Sequence, residues 1–163
     1  MIILGLDPGL ATTGFGIINT NGNKFSLIKY GTLNTLPKYK LSQRINQLYE
    51  STTALLKTHQ PDIIAIESLF FSRNTKTALI VAQARGILLL SAEQYLKPIF
   101  EYTPPQIKLG ICGYGKATKQ QVQYMTKQLL NLNQPPKPDD AADALGVAIC
   151  HAHSAKINAL SKK

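Results

Sequence analysis

The run Ile2-Ile3-Leu4-Gly5-Leu6 stops abruptly at Asp7-Pro8-Gly9. A short, almost wholly apolar segment closed by a turn signal predicts a strand buried on both faces. Two further strand-like segments follow at 14–20 (GFGIINT) and 25–33 (FSLIKYGTL), joined through Asn21-Gly22-Asn23, a hairpin signal. Three antiparallel strands therefore open the fold. The period then changes. Leu41, Ile45, Leu48, Thr52 and Leu55 recur at helical spacing and predict a helix over 40–58. After Pro61, residues 62–66 (DIIAI) form a second buried strand that ends at Glu67. A polar loop leads to a helix over 77–96, a strand over 99–102, a short helix near 106–110 behind Pro104-Pro105, and a helix over 118–130. Residues 131–138 are a Pro-rich linker, and the Ala-rich tract 139–153 is a last helix. The fourth and fifth strands need crossover helices, so they lie parallel to the first. The result is an α/β domain, a five-stranded mixed sheet flanked by helices, over residues 1–155. The stretch from Ser154 on is polar and basic, and 156–163 is expected to be a flexible tail.

Composition narrows the function. The 163 residues fit one domain, and a hydrophobic share of 44% supplies a core. Lys and Arg number 18 against 9 Asp and Glu, a formal net charge of +9, which favours a polyanionic partner. The opening apolar run is too short for a signal-peptide core, and no stretch approaches the ~20 apolar residues of a membrane span. Cys112 and Cys150 have neither metal-ligand spacing nor a disulfide framework; they read as small apolar residues in a protein of the reducing cytoplasm.

The few acids are placed informatively. Asp7 and Glu67 each end an apolar strand, and ligand sites in α/β sheets form outside the carboxyl ends of parallel strands. Turn chemistry alone also accounts for Asp7; Glu67 has no turn role. On the last helix, Asp140 and Asp143 are three apart and Asp139 and Asp143 four apart, so either pair shares a face. Asp139 and Asp140 also stand where acids cap a helix. Asp143 lies a turn further in, among Ala141, Ala142 and Ala144, where an acid is costly unless paired or bound to a cation. Clustered carboxylates repel one another, and hard divalent cations relieve them. Two magnesium ions held this way clamp the attacking and leaving oxygens of a phosphodiester displacement; manganese is an alternative ion.

Aromatic and basic residues stand close by. Phe70 and Phe71 precede Arg73 and Lys76, an arrangement suited to stacking on bases beside a catalytic rim. Lys108, Lys116 and Lys119 flank a glycine-containing loop and suit phosphate contact or charge stabilisation, although lysines often only solvate a face. His151 falls near the Asp143 stripe about two turns on, and no role follows from its position.

Several stretches together resemble one family: GLDPGLATTGFGII, QPDIIAIESLFF, QARG, FEYTPPQIK, KQQVQ and DDAADALGVAICHAH, in order along essentially the whole chain. They resemble the RuvC crossover junction endodeoxyribonucleases of the ribonuclease H-like superfamily. That resemblance implies a magnesium-dependent homodimer that resolves four-way Holliday junctions by symmetric paired nicks in recombination and repair, acting with the RuvA–RuvB branch-migration complex. It implies Asp7, Glu67, Asp140 and Asp143 as metal-binding acids, Phe70 as a base-contacting aromatic, and Lys108 and Lys119 as functional lysines. The extra acid, Asp139, departs from the family pattern; counting back three residues from Asp143 selects Asp140 and leaves Asp139 as a cap. Three other readings compete: a nuclease of the same fold acting on RNA or RNA–DNA hybrid, a nucleotide-dependent phosphotransferase, and a non-catalytic junction-binding module.

Overall fold

The computed structural model describes residues 1–22, 24–68 and 75–160, and the side chains of 75–77 and 156–160 fall outside that description. The elements are β1 (Ile2–Asp7), β2 (Thr12–Asn21), β3 (Lys24–Asn34), α1 (Leu41–His59), β4 (Ile63–Glu67), α2 (Thr75–Gln94), β5 (Ile99–Tyr102), α3 (Pro104–Cys112), α4 (Lys119–Leu129) and α5 (Asp139–Leu160). They form one sheet in the order β3-β2-β1-β4-β5, with β1–β2 and β2–β3 antiparallel and β1–β4 and β4–β5 parallel. This is the expected mixed five-stranded sheet, with the parallel and antiparallel pairs as expected. Among the described residues, no helix is long and apolar enough to cross a membrane.

Strand alternation divides the core into two layers. Leu4, Leu6, Ile17, Ile64 and Ile66 point to one face, under Leu48, Leu56 and Leu88 of α1 and α2. Ile3, Ile18 and Ala65 point to the other, under Leu145, Ala148 and Ile149 of α5 and the apolar sides of α3 and α4. Asp7 follows Ile3 and Gly5 by steps of two, and Glu67 follows Ala65, so both acids fall on the α5 face.

On that face α5 runs unusually close to the sheet. Gly5 and Gly16 are register partners, and Gly14 is the partner of Asp7. A Cβ added to Gly5 would lie 2.1 Å from the Ala144 carbonyl oxygen, one on Gly14 1.9 Å from the Asp140 carbonyl oxygen, and one on Gly16 2.7 Å from the Leu145 side chain. Only residues without a side chain leave room for the helix backbone there.

Three departures from the expected element boundaries have a physical reason. Pro104 and Pro105 lie inside α3 rather than before it: Thr103 is the N-cap, its hydroxyl accepting from the Gln106 N–H, and the prolines occupy first-turn positions whose N–H groups have no helical partner to lose. The helix expected to reach Leu96 ends at Gln94, because Leu96 adopts φ 51° in the turn before Pro98. The tail expected to be flexible from 156 is helical as far as Leu160. With Ala155, Ala159 and Leu160 and no Gly or Pro, extending an established helix costs little.

The glycine contacts predict the sign of a substitution. Alanine is better tolerated than glycine in an open strand by roughly 0.5–1 kcal/mol. Here Gly5→Ala and Gly14→Ala push α5 off the sheet and cost about 1–3 kcal/mol or more. The thermal midpoint falls by at least about 2 °C, at roughly 2–4 °C per kcal/mol for a domain of this size; an unchanged or raised midpoint would refute the close contact.

Candidate active site

The C-terminal ends of β1 and β4, neighbouring parallel strands, bring Asp7 and Glu67 to one rim. α5 crosses above them. Its first turn carries Asp139 and Asp140, and Asp143 lies one turn on. Asp143 and Glu67 line a cleft of about 240 Å³ with Pro104, Ile107, Lys108, Lys119 and Val122, so α3 and α4 form its far wall.

Electrostatics reveal how crowded the acids are. Burial, then the charges of Glu67, Asp143 and Asp140, push the Asp7 carboxyl from 3.8 up to about 8, against a smaller opposing effect of Lys119. Burial and the nearby Asp143 raise Glu67 to about 7, partly opposed by Lys108. Burial also raises Asp143, although Lys119 pulls it down. Asp7 therefore feels Asp140 but not Asp139, whereas Asp143 feels both. The exposed Asp139 carboxylate is held below its ordinary range by hydrogen bonds from Lys119 and Gln123.

Lys119 acts as a resident counterion. Its ammonium is 3.0 Å from Asp139 Oδ2 and 3.3 Å from Asp143 Oδ2. Gln123, one helical turn along α4, donates from Nε2 to Asp139 Oδ1 at 3.0 Å. Asp139 thus ties α4 to α5 in addition to occupying the first helical turn. Gln123 was missed in the sequence, although it ends the KQQVQ stretch; its signal was the four-residue spacing from Lys119.

The acids suit a hard cation. All the donors are carboxylate oxygens, they are half-buried, and they raise one another's proton affinity. Among the described residues, no three His, Cys, Asp or Glu side chains form a ready cage for a metal ion. A hard ion such as magnesium takes one or two protein carboxylates and completes its shell with water and phosphate.

The remaining expected residues are placed unequally. Lys108 and Lys119 line the cleft, while Lys116 is exposed on the loop between α3 and α4. Phe70 and Arg73 lie outside the described residues, as does the side chain of Lys76. His151 is buried; its Nδ1 shares a 2.8 Å hydrogen bond with the Tyr102 hydroxyl and its ring packs on Phe100, so it joins α5 to β5.

Comparison with known proteins agrees with this arrangement. The family model described as "Crossover junction endodeoxyribonuclease RuvC" matches residues 3–151. The chain belongs to the RuvC family. A RuvC of Alkaliphilus metalliredigens is 52% identical over 162 residues, covering 99% of each chain. The RuvC of Thermus thermophilus, solved in complex with a Holliday junction substrate, superposes with a TM-score of 0.93 at 30% identity, over 97% of this chain and 96% of that one. The yeast mitochondrial Holliday junction resolvase Ydc2, at 16% identity and a TM-score of 0.67, shares the fold. The sheet and helices are those of the ribonuclease H-like resolvases.

The crowding in this RuvC-family site has a consequence for stability. Asp7 binds its proton more tightly folded, at about 8, than unfolded, at 3.8. Its contribution is full below about pH 4 and is lost as pH rises towards 8. Glu67 acts in the same sense up to about 7. In chelator, the thermal midpoint should fall between about pH 5 and pH 8, and Asp7→Asn should raise the midpoint at pH 8 by a few degrees and flatten the profile. A midpoint that rises over this interval would contradict the assigned crowding.

Proposed function

We propose that this RuvC-family protein resolves four-way DNA junctions by paired nicks, with Asp7, Glu67, Asp140 and Asp143 as the acids of a magnesium site. The observation that carries the reading is the meeting of Asp7, Glu67 and Asp143 at one sheet end, with Lys108 and Lys119 across the cleft. Family membership and the junction-bound Thermus thermophilus relative support a four-way junction as substrate.

Bound among the acids, the cation supplies Lewis-acid polarisation of the phosphodiester and activates the attacking water. The protein's residues do the rest. Asp7 is seated deepest and presents its carboxylate from the rigid end of β1. Glu67 faces it from β4, and Asp140 and Asp143 approach from α5. The wall of α3 and α4 turns Lys108 and Lys119 towards charge that develops on the phosphate. With contacts to Asp139 and Asp143, the Lys119 ammonium keeps a third N–H for a phosphate, and a shift of its Asp143 contact to the phosphate would free that carboxylate for the cation. Phe70, Arg73, Lys76 and Lys116 are further DNA contacts in this reading.

A homodimer fits the second helix. Ala84, Leu88 and Ala92 of α2 are buried against the core, while Leu79, Ile80 and Leu90 are exposed at 68%, 45% and 49%. An apolar stripe of that kind favours a second copy of the chain. Action with RuvA–RuvB in the cytoplasm completes the reading.

Two experiments test it. Four-way junction, linear duplex and RNA–DNA hybrid are offered in equal amounts with magnesium. The junction should be cut preferentially, and preferential cutting of the hybrid would sink the proposal. Asp7→Asn, Glu67→Gln, Asp140→Asn and Asp143→Asn should each lower single-turnover cleavage by roughly 10²–10³-fold or more while junction binding persists. Asp139→Asn should stay near wild type; an equal loss in Asp139→Asn and Asp140→Asn would remove the distinction between them.

For the dimer, Leu79→Arg with Leu90→Arg should give a folded monomer by sedimentation at a concentration where the wild type is dimeric. A doubly substituted chain that remains dimeric would move the interface elsewhere.

A further inference from the structure

No Asp or Glu occurs between Asp7 and Glu50, whereas Lys24, Lys29, Lys38, Lys40 and Arg44 all fall there. Three of these cations, Lys38, Lys40 and Arg44, sit on the connection from β3 into the first turn of α1.

Strand register brings that connection to the acid end of the sheet. Asn34 at the end of β3 pairs with Thr12, beyond the point where Gly14 pairs with Asp7. Thr35 then fastens to the loop that leaves Asp7: its N–H donates to the Ala11 carbonyl at 3.0 Å and its hydroxyl to the Leu10 carbonyl at 2.6 Å. Thr35 is buried, and Arg44 Nε donates to the same hydroxyl at 2.9 Å. Arg44 is therefore linked through one side chain to the residue three positions past Asp7. Lys38 and Lys40 are exposed. Among the described residues, the ion pairs are Arg85–Glu101, Lys119–Asp139 and Lys119–Asp143, so none involves these three cations.

The local chemistry is unfavourable unless an anion arrives. Lys40 is the N-cap of α1, and the first turn holds no acid. A lysine side chain has no acceptor for free N–H groups, and positive charge opposes the helix dipole there. Gln43 Oε1 accepts from the Lys40 N–H at 3.0 Å, which satisfies one donor but leaves the charge. Arg44 differs from a free surface arginine. With Nε tied to a buried hydroxyl, its guanidinium has less freedom to lose when the rest of the fork meets a phosphate.

We propose that Lys38, Lys40 and Arg44 form a second phosphate-binding flank, which holds the DNA backbone on the α1 side of the acids while Lys108 and Lys119 hold it on the α3–α4 side. The flank rests on the junction reading above and deepens it. It serves binding, since the cleft lined by Glu67 and Asp143 contains none of the three residues.

The test is the salt dependence of four-way junction binding without a divalent cation, followed by single-turnover cleavage with magnesium at saturating protein. Lys38→Ala with Lys40→Ala should lower the slope of log K against log salt by about 2, and adding Arg44→Gln should lower it by about one more. Affinity should drop roughly 10-fold or more at moderate salt, with saturated cleavage within about 2-fold of wild type. Lys57→Ala with Lys97→Ala removes as much charge from the opposite end of the sheet and should leave the slope unchanged. The two exposed lysines keep the test valid even if Arg44→Gln unfolds the chain. A wild-type slope in the Lys38–Lys40 variant, or an equal fall in the Lys57–Lys97 variant, overturns the flank while leaving the junction reading intact. A wild-type protein that binds duplex as well as it binds the junction overturns the junction reading itself.

Discussion

α5 reaches the acid rim only because β1 and β2 carry glycine where it crosses them. At Gly5 and Gly14 even one added carbon would fall about 2 Å from helix backbone oxygens, at 2.1 and 1.9 Å. Glycine within a strand gives up packing and pays more chain entropy, about 0.5–1 kcal/mol each relative to alanine. In return a buried helix of Ala, Leu and Ile lies against the sheet at backbone contact, and Asp140 and Asp143 come within electrostatic reach of Asp7. The same glycines thus serve packing and chemistry. Asp140 presents its carbonyl to Gly14, whose register partner is Asp7, so any shift of the helix moves the acids as well.

That closeness creates an electrostatic conflict inside a stable fold. Asp7 and Glu67 are pushed up to about 8 and about 7, so at neutral pH the acid rim resists full ionisation. Nothing in packing requires four acids there; an apolar rim would fold more easily. Lys119 relieves part of the conflict, and its attachment to both Asp139 and Asp143 keeps it poised across the two helices. A divalent cation held among the carboxylates would neutralise more of their charge. Sites that break local rules in this way are where function is expected to reside.

The fold was legible because its signals were local. Each buried strand was an apolar run closed by a turn residue, and the change from period two to period three-and-a-half marked α1. Parallel pairing followed from chain connection rules. Asp7 and Glu67 could be placed on one rim from strand ends alone. Asp140 and Asp139 could not be separated that way, since both share a face with Asp143; the difference lies in what α4 presents to them, and a tertiary contact such as Gln123 to Asp139 has no sequence period. Thr35 was equally hidden. Its role depends on a bond to Leu10, 25 residues away, which only the hairpin of β2 and β3 brings near. α5 runs past its expected end at 153 to Leu160, because alanine-rich spacing continues the helix through a polar stretch.

Charge segregation explains why a basic protein keeps its acids in one place. Five of the nine acids, Asp7, Glu67, Asp139, Asp140 and Asp143, gather at one end of the sheet. A phosphodiester approaching them alone would meet repulsion. Cations on either side reverse the sign of the field at a distance, where charges sum, without cancelling it at contact, where the acids dominate. A backbone can therefore be drawn to the rim and held beside it, yet it can settle on the acids only with a divalent cation between the two negative partners. Attraction and reaction then depend on different residues. Binding can be strong while cleavage waits for the ion, and the protein need not move any element of the sheet to keep the two steps apart.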